Sequence, residues 1–423
     1  MGKRILITSF GSFGDVYPYI GLALGLRARG HDPVLAMPRY CREVVEREGL
    51  RFHAVPPDVE PSDRETIGKI MDPAKGTEFL VREVLVPALR ASYESMSETA
   101  READLLITHP VTFAAPVVAE RLGLPWVSTV LAPMSLFSAH DLPVFAPMPW
   151  AKNLERVPGG ARALVGLAKA VTRRWTEPIQ ALRREFGLPR AANPLFEGQH
   201  SPGQVLALFS RTLADPQPDW PPNVCVTGAI PYNGPETPDT LPRELEAFLE
   251  AGPPPLVFTL GTSAVGAPGS FYEESLEAVR RLGMRAVLLV GPHPENLPRA
   301  ALPAGVRLEP FAPHAALFPR AAAIVHQGGI GTLHQGLRSG RPTLVVPFAH
   351  DQFDNAHRVW RLGVSRTLPP NTYRAGRVVM ELRSLLENGG YRVRAEEIAA
   401  QVRQENGVEA ACDAIERVLE SNP

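Results

Sequence analysis

Short apolar runs alternate with longer amphipathic stretches along the first half of the chain. The runs have the length of buried strands, and the stretches repeat apolar residues with the period of a helix. This alternation is typical of a parallel sheet whose strands are joined by helices. The pattern predicts seven strands here: Arg4–Ser9, Val34–Met37, Phe52–Val55, Asp104–Thr108, Trp126–Val130, Val205–Phe209 and Val224–Thr227.

Helical stretches lie between these strands. Tyr19–Arg29, Arg39–Glu48 and Ala115–Leu122 are predicted helices, and Thr77–Ala103 has the length and period of one long helix.

The pattern restarts after Pro231–Asp239, a segment rich in residues that break regular structure and therefore a predicted linker. Because 423 residues exceed one hydrophobic core, we expect two doubly wound α/β domains, 1–232 and 233–423, with the last helix packing back on the first. Ligands of such sheets bind at the carboxyl ends of strands, here in a cleft between the domains. Five further strands are predicted: Leu256–Leu260, Ala286–Val290, Val306–Glu309, Ala323–His326 and Thr343–Val346.

Composition excludes several classes of protein. With 44 basic and 45 acidic residues the net charge is −1, which gives no electrostatic reason to expect a nucleic acid partner. Three widely spaced cysteines fit neither a disulfide framework nor a CxxC metal site and indicate buried thiols. No run approaches the ~20 apolar residues of a membrane span. A cytoplasmic protein with no transmembrane segment is predicted; the arginine pairs at 173–174 and 183–184 suit either peripheral membrane contact or a solvated helix face.

The first loop whose residues suit a chemical role is Phe10–Pro18, between the first strand and the first helix. Its glycines allow close backbone approach, but the spacing is not GxGxxG, so a nicotinamide fingerprint is not supported. Asp15 in this loop suits a helix cap and a functional carboxylate equally well.

A second loop, Ile324–Thr332, runs from a strand into a glycine-rich helix start. Free N–H groups and the positive end of the helix dipole favour an anion there, and Gly328, Gly329 and Gly331 leave room for one. His326 is placed to add a hydrogen bond. A tight turn with a histidine packed under it is the alternative.

The next strand ends in Val346–Asn355, which carries more hydrogen-bonding side chains than a plain turn needs. Asp351 accepts hydrogen bonds and Gln352 both donates and accepts, so together they suit the vicinal hydroxyls of a sugar. Capping of the following helix is the alternative role.

Together these segments resemble the donor-binding signature of inverting glycosyltransferases of the GT-B fold, which include the UDP-glycosyltransferases. The resemblance covers nearly the whole chain and is strongest to the bacterial branch of rhamnolipid-type, sterol and glycopeptide enzymes. It implies transfer of a hexosyl group, rhamnose or glucose, from a UDP- or dTDP-sugar to a hydroxyl of a small lipophilic or phenolic acceptor. No cofactor is expected besides this co-substrate, and the chain has no DxD metal motif.

The resemblance assigns residue roles. Asp15 becomes the general base. The implied donor contacts are Thr262, Ser263, His326, Gly328, Gly329, Gly331 and Thr332 for the diphosphate, Phe311, Ala312 and His314 for the nucleoside base, and Asp351 and Gln352 for the sugar.

At two positions the chain departs from the family pattern, and these departures limit what the resemblance implies about the donor. His334 stands where many relatives keep a ribose-binding glutamate, which leaves UDP and dTDP open. Ala349 stands where plant glucosyltransferases keep a tryptophan, so a glucose preference does not follow.

Acceptor contacts are expected on the first domain, where the loops Leu131–Phe137 and Leu142–Trp150 are apolar. An acceptor pocket and ordinary packing over the core explain such loops equally well. His109 suits either assistance to Asp15 or strand-end packing. The candidate acceptor residues are Phe13, His109, Met134, Phe137 and Phe145.

Two other functions remain open on the same fold. One is a nucleotide-sugar isomerase, and the other is a non-catalytic sugar-nucleotide-binding protein.

Overall fold

The computed structural model describes residues 2–232, 234, 240–262 and 264–421. The chain forms two compact units. The first unit comprises Met1–Ile70, Ala74–Pro235 and Glu405–Pro423; the second comprises Met71–Pro73 and Glu236–Gln404. Each contains one parallel sheet with helices, so the predicted α/β class is confirmed. Most of the predicted linker, residues 233 and 235–239, lies outside the described residues.

Of the thirteen strands in the described residues, β1 to β12 occur where the apolar runs predicted them. They are β1 Arg4–Thr8, β2 Asp32–Met37, β3 Arg51–Ala54, β4 Leu105–Thr108, β5 Trp126–Val130, β6 Gln204–Ala207, β7 Val224–Val226, β8 Leu256–Thr259, β9 Ala286–Leu289, β10 Val306–Glu309, β11 Ala323–His326, β12 Thr343–Val345 and β13 Ser365–Thr367.

The α-helices connect these strands and cover the sheets. They are α1 Phe13–Ala28, α2 Arg42–Arg47, α3 Arg64–Ile70, α4 Gly76–Phe79, α5 Leu89–Ala100, α6 Ala114–Leu122, α7 Gly160–Thr172, α8 Glu177–Glu185, α9 Arg243–Glu250, α10 Phe271–Leu282, α11 His314–Leu317, α12 Ile330–Ser339, α13 Gln352–Arg361, α14 Ala375–Glu387, α15 Gly389–Val402 and α16 Gly407–Ser421.

The first sheet has the strand order β3-β2-β1-β4-β5-β6-β7. β1 lies between β2 and β4, with Ile5 aligned to Pro33 on one side and to Leu105 on the other. Because the chain winds away from β1 in both directions, the crevice between the carboxyl ends of β1 and β4 is the topological switch point. The loops that leave these two strands carry Asp15 and His109.

The second sheet has the order β10-β9-β8-β11-β12-β13, and its switch point lies between β8 and β11. The loops after β8, β11 and β12 therefore leave the sheet side by side at its carboxyl edge. These loops hold most of the residues predicted to bind a donor.

Three elements differ from the sequence prediction. The single helix predicted over Thr77–Ala103 is wrong: after α4 the chain continues as π-helix through Leu80–Leu85, and α5 begins only at Leu89. Pro87 explains the interruption because it has no N–H to donate, and the Val86 N–H bonds instead to the Val81 carbonyl. Strand β13 was missed because its three residues form no apolar run. Helix α1 starts at Phe13, well before Tyr19.

The C-terminal helix α16 belongs to the first unit, where it packs against α1. The Arg29 guanidinium lies 2.6 Å from the Asp413 carboxylate and 2.7 Å from that of Glu416. Cys41 and Cys412 are buried free thiols, whereas Cys225 is half-buried. Within the described ranges, none of the helices combines the length and apolarity that crossing a bilayer demands.

Candidate functional site

Asp15 caps helix α1 and also presents a second oxygen to its surroundings. Ser12 is the N-cap residue, and its Oγ accepts a hydrogen bond from the Gly14 N–H at 3.2 Å. Oδ2 of Asp15 accepts from the Ser12 N–H at 2.8 Å and from the Ser12 hydroxyl at 3.0 Å, which completes a capping box. The capping role is therefore present, and it orients the carboxylate through one oxygen only.

Gly11 makes room for this carboxylate. Its φ of +134° is uncommon for other residues, and a Cβ there would lie 2.5 Å from Asp15 Oδ2. The Tyr40 hydroxyl donates to the Gly11 carbonyl and holds the loop in place. The glycine is thus required by the position of the acid.

The environment of Asp15 makes it a stronger base than an ordinary aspartate. Burial raises the pKa of Asp15 to about 6, although the two hydrogen bonds from Ser12 act in the opposite direction. Protein atoms surround the carboxylate densely even though 37% of the side-chain surface remains accessible. Such a group can take a proton near neutral pH.

His109 faces the free side of Asp15, across the switch point. Its Nε2 lies 3.9 Å from Asp15 Oδ1, and its Nδ1 accepts a hydrogen bond from the Val111 N–H. Burial lowers the pKa of His109 to about 3, so the ring is neutral and carries its proton on Nε2. The gap is too long for a direct hydrogen bond, and one hydroxyl oxygen between the two groups would contact both.

Aromatic rings adjoin this carboxylate. Phe13 packs against Tyr17 with centroids 5.2 Å apart and against the edge of Tyr40 at 6.2 Å. Tyr17 and Tyr40 were missed by the sequence prediction, although Tyr17 lies only two residues after Asp15 in the same loop and helix start.

The other acceptor candidates lie in a separate cluster. Phe137 stacks on Phe145 with ring centroids 6.4 Å apart and lies tilted against Phe196 at 4.4 Å, and both candidates pack against the buried face of α7. Met134 lies half-buried in the short turn after β5. The packing role considered for Phe137 and Phe145 is therefore seen in the structure.

In the second unit, the glycine turn after β11 leads directly into α12. Gly329 is its N-cap residue, and a Cβ at Gly331 would meet no atom within 4 Å, so the front of the helix start is open. The first backbone N–H groups of α12 point into this space, which suits an anion. Thr332 is buried behind them.

His326 lies beneath this turn. Its ring is 1% exposed, and its Nδ1 accepts the Gly328 N–H at 3.1 Å. Gly336 of α12 faces the other ring nitrogen. The ring is therefore placed to hold the turn in shape.

Gln327 lies between its own turn and the loop after β8, and it was missed by the sequence prediction. Its amide nitrogen lies 3.5 Å from Thr332 Oγ1, and a Cβ on Gly261, after β8, would overlap it. The side chain is 3% exposed, and its Oε1 has no hydrogen-bond partner among the described residues. Thr262 beside Gly261 is exposed, whereas Ser263 lies outside the described residues.

The loop after β12 is tied to the glycine turn by side-chain amides. Gln352 Oε1 accepts the N–H groups of Phe348 and Ala349 at 2.8 and 3.3 Å, so its NH₂ group remains the donor. Asn355 donates to the Gly328 carbonyl at 3.0 Å and to Asp351 Oδ2 at 2.7 Å. Because the two backbone N–H groups occupy the acceptor oxygen of Gln352, its side chain offers a ligand only the hydrogen-bond donors of the NH₂ group.

The remaining candidates lie at the loop after β10. Phe311 is 52% exposed, Ala312 is fully buried, and His314 stacks on Phe318 at 4.3 Å. An exposed ring beside a rigid stack is the arrangement that stacks on a flat base.

The histidines around the turn are uncharged. Burial lowers the pKa of His326 to about 3 and that of His314 and His334 to about 4. An anion at this turn would meet dipoles and neutral donors instead of imidazolium charge. Over the described part of the chain, no three His, Cys, Asp or Glu side chains are grouped to hold a metal ion.

Two units of this kind, each a parallel sheet with its polar loops at the switch point, are the architecture of the GT-B fold, which solved structures of glycosyltransferases share with this chain. Residues 5–139 match the glycosyltransferase family 28 N-terminal domain, and residues 275–416 match the C-terminal domain of the erythromycin biosynthesis protein CIII-like family. The chain is 30% identical to O-mycaminosyltylonolide 6-deoxyallosyltransferase of Streptomyces fradiae, over 99% of this chain and 98% of the relative. The protein belongs to this family of glycosyltransferases.

The sterol glucosyltransferases among its relatives share only part of their length with the chain. It is 29% identical to a sterol 3-beta-glucosyltransferase of Neosartorya fischeri over 99% of its own residues, but spans only 30% of that protein. Among solved structures, the spinosyn forosaminyltransferase SpnP gives a TM-score of 0.73 at 18% identity, covering 99% of this chain and 100% of that one. The glycosyltransferase VinC in complex with dTDP gives 0.69 at 22%, with the same coverage. These structures support the fold.

Proposed function

We propose that the protein is an inverting, metal-independent hexosyltransferase that moves rhamnose or glucose from a UDP- or dTDP-sugar to a hydroxyl of a small lipophilic or phenolic acceptor. The observation that carries this proposal is the placement of Asp15 and His109 at one switch point and of three connected polar loops at the other. The 6-deoxyhexose named for the Streptomyces fradiae relative supports the rhamnose alternative.

Asp15 is the proposed general base. Oδ2 is engaged by Ser12, which leaves Oδ1 to accept the proton of the acceptor hydroxyl. The neutral His109 donates a hydrogen bond from its Nε2–H to the oxygen of the acceptor hydroxyl and holds that oxygen for attack. The hydroxyl then attacks the anomeric carbon opposite the leaving diphosphate, and the configuration inverts.

The loops of the second unit are the proposed donor site. The helix start at Gly328–Thr332 and the exposed Thr262 stabilise the diphosphate as charge develops on it. Gln327 packs against Gly261 of the neighbouring loop beside Thr332, and His326 supports the turn from below. Phe311 stacks on the nucleoside base, while the amide of Gln352 and the carboxylate of Asp351 contact the sugar hydroxyls.

A donor panel tests this proposal. The purified protein is incubated with UDP-glucose, UDP-galactose, dTDP-glucose or dTDP-rhamnose and its thermal midpoint is measured. At a hundredfold excess over Kd, a bound donor adds about 2.7 kcal/mol of stability. Mass spectrometry of products from phenolic and lipophilic alcohols then identifies the transferred sugar. Indifference to every donor would refute the proposal.

The proposed base predicts a specific pH dependence. Only the carboxylate form of Asp15 accepts a proton, so kcat/KM should fall about tenfold per pH unit below a pKa of about 6 and be level above it. In Ser12→Ala the carboxylate loses the hydroxyl that stabilises its charge, and the profile should move to higher pH. Initial rates at saturating donor measure both curves.

Asn388→Ala is the matched control for this profile, because Asn388 caps α15 in the second unit and does not contact Asp15. Its profile should equal the wild-type profile.

The raised pKa of Asp15 also has a consequence for stability. Since the pKa of Asp15 in the folded protein exceeds the ordinary value of 3.8, Asp15 contributes its full stabilisation below about pH 4 and loses that contribution as the pH rises through 6.

Gly261→Ala tests the role of Gln327. The new methyl group would overlap the Gln327 amide and push it away from Thr332. We therefore expect donor affinity to fall about tenfold, which corresponds to the loss of roughly one hydrogen bond to a charged group. Isothermal titration with the nucleoside diphosphate measures the change.

Gly283→Ala is the control for backbone strain. Gly261 and Gly283 have nearly equal φ values of +61° and +63°, but a Cβ at Gly283 meets nothing within 4 Å. Both variants lose stability through the left-handed conformation, by ~1 kcal/mol. Only Gly261→Ala should lose donor affinity. An equal loss of affinity in both variants would show that Gln327 does not contribute to donor binding.

A further inference from the structure

One surface of the first unit differs in charge from the rest of the protein. Residues 149–176 contain six basic side chains and one acidic side chain, a net charge of +5 in a chain whose total is −1. The basic residues are Lys152, Arg156, Arg162, Lys169, Arg173 and Arg174.

Four of these cations are available to an external partner. Lys152 is bound to Asp141 and Glu155, and Lys169 to Glu197. Arg156, Arg162, Arg173 and Arg174 are exposed, and over the described ranges none has a carboxylate within ion-pair distance. By contrast, Arg183 is 3% exposed and bound to Glu120, so the second arginine pair of the sequence is occupied.

The same segment exposes large apolar side chains. Leu167 and Val171 lie four residues apart on the outer face of α7 and are 61% and 55% exposed. Trp150 and Val157, at the ends of the short helical turn that packs on α7, are 62% and 51% exposed. Leaving these groups in water is unfavourable, so the surface is suited to a partner that covers it.

The two faces of α7 have different tasks. Ala161 and Val165 are buried against the cluster that contains Phe137 and Phe145. The apolar outer face is therefore not needed to hold the helix in place.

A lipid surface matches this combination of groups best. Aliphatic side chains enter the acyl boundary, a tryptophan ring prefers the headgroup level, and unpaired arginines attract anionic headgroups. The outer face of α7 offers Ala163, Gly166, Leu167, Ala170 and Val171, which have no side-chain hydrogen-bonding groups with which to recognise a particular protein.

We propose that this surface, which we call the α7 face, docks the protein peripherally on an anionic membrane. The α7 face consists of Trp150, Arg156, Val157, Arg162, Leu167, Val171, Arg173 and Arg174. This docking is independent of the proposed transfer reaction, because binding to vesicles is measured without donor, acceptor or catalysis.

Vesicle sedimentation tests the docking. The full-length protein is mixed with vesicles of phosphatidylcholine and phosphatidylglycerol at 70:30, and with phosphatidylcholine alone. We expect sedimentation with the anionic vesicles, weakened at high salt, and about tenfold less with the neutral ones. Leu167→Gln with Val171→Gln, and Arg173→Glu with Arg174→Glu, should each reduce the partition coefficient at least about tenfold.

Exposed residues of the second unit provide matched controls. Met380→Gln with Val393→Gln removes two apolar side chains of similar exposure, 66% and 58%, and Arg377→Glu with Arg383→Glu reverses two exposed charges. These variants should bind vesicles like the wild type, with thermal midpoints recorded for all. Failure of the wild-type protein to bind anionic vesicles, as expected for a surface that binds an acidic protein, would overturn the proposal. Equal losses in the control variants would overturn it as well.

Discussion

Asp15→Asn should reduce kcat of glycosyl transfer by about 10²–10⁴-fold while leaving donor affinity unchanged. Asparagine keeps the shape of the side chain but cannot accept the proton of the acceptor hydroxyl, and removal of a positioned general base costs a factor of this size. The donor loops belong to the other unit, so the Kd for the nucleoside diphosphate should not change. Acceptor-dependent release of nucleoside diphosphate measures kcat, and isothermal titration measures Kd.

The variant also disturbs the capping box, and Ser12→Ala controls for this effect. It removes the hydroxyl that both caps α1 and contacts Asp15, but it keeps the carboxylate. It should retain most of its activity above the pKa of the base. If Ser12→Ala and Asp15→Asn lose activity equally at high pH, the carboxylate acts as a cap and not as a base.

Asp354→Ala should lower the free energy of unfolding of the second unit by about 3–5 kcal/mol. Asp354 is fully buried on α13, and its Oδ2 lies 2.6 Å from Nε of Arg358, which is 3% exposed. Removal of the carboxylate leaves a guanidinium charge buried with less compensation. Urea titration followed by pulsed hydrogen exchange on peptides from the second unit resolves this loss from changes in the first.

An exposed pair of the same spacing provides the comparison. Arg392 and Glu396 are also four residues apart on one helix, but their side chains are 62% and 55% exposed. Glu396→Ala should cost less than about 1 kcal/mol because water screens the pair. Equal losses in the two variants would show that burial does not set the strength of these contacts.

The positions of the strands along the chain were predictable because fully buried parallel strands read as apolar runs, whereas the strand order that sets both switch points came from the structure. Of the thirteen strands in the described part of the chain, twelve were predicted, and the edge strand β13, Ser365–Thr367, lacks that signal. The break near Pro87 was also readable, since proline removes a helix hydrogen bond. The start of α1 at a capping box was a further local signal: Asp15 was recognised as a possible helix cap, yet the helix was predicted to begin only at Tyr19.

The details of the donor loops were not predictable from local sequence. The contact between Gln327 and Gly261 joins residues that are distant in the chain and adjacent only because β8 and β11 pair. The burial of His326 arises in the assembled unit, where Gly336 of α12 lies beside its ring. The raised pKa of Asp15 is likewise a property of the assembled surroundings, because burial dominates it.

The stereochemistry of the product tests the central claim most directly. The wild-type protein is supplied with the donor identified by the panel, and the anomeric configuration of the glycoside is assigned by nuclear magnetic resonance from its one-bond carbon–hydrogen coupling. Single displacement assisted by Asp15 predicts a product of the opposite configuration to the donor. A product that retains the donor configuration would contradict this mechanism.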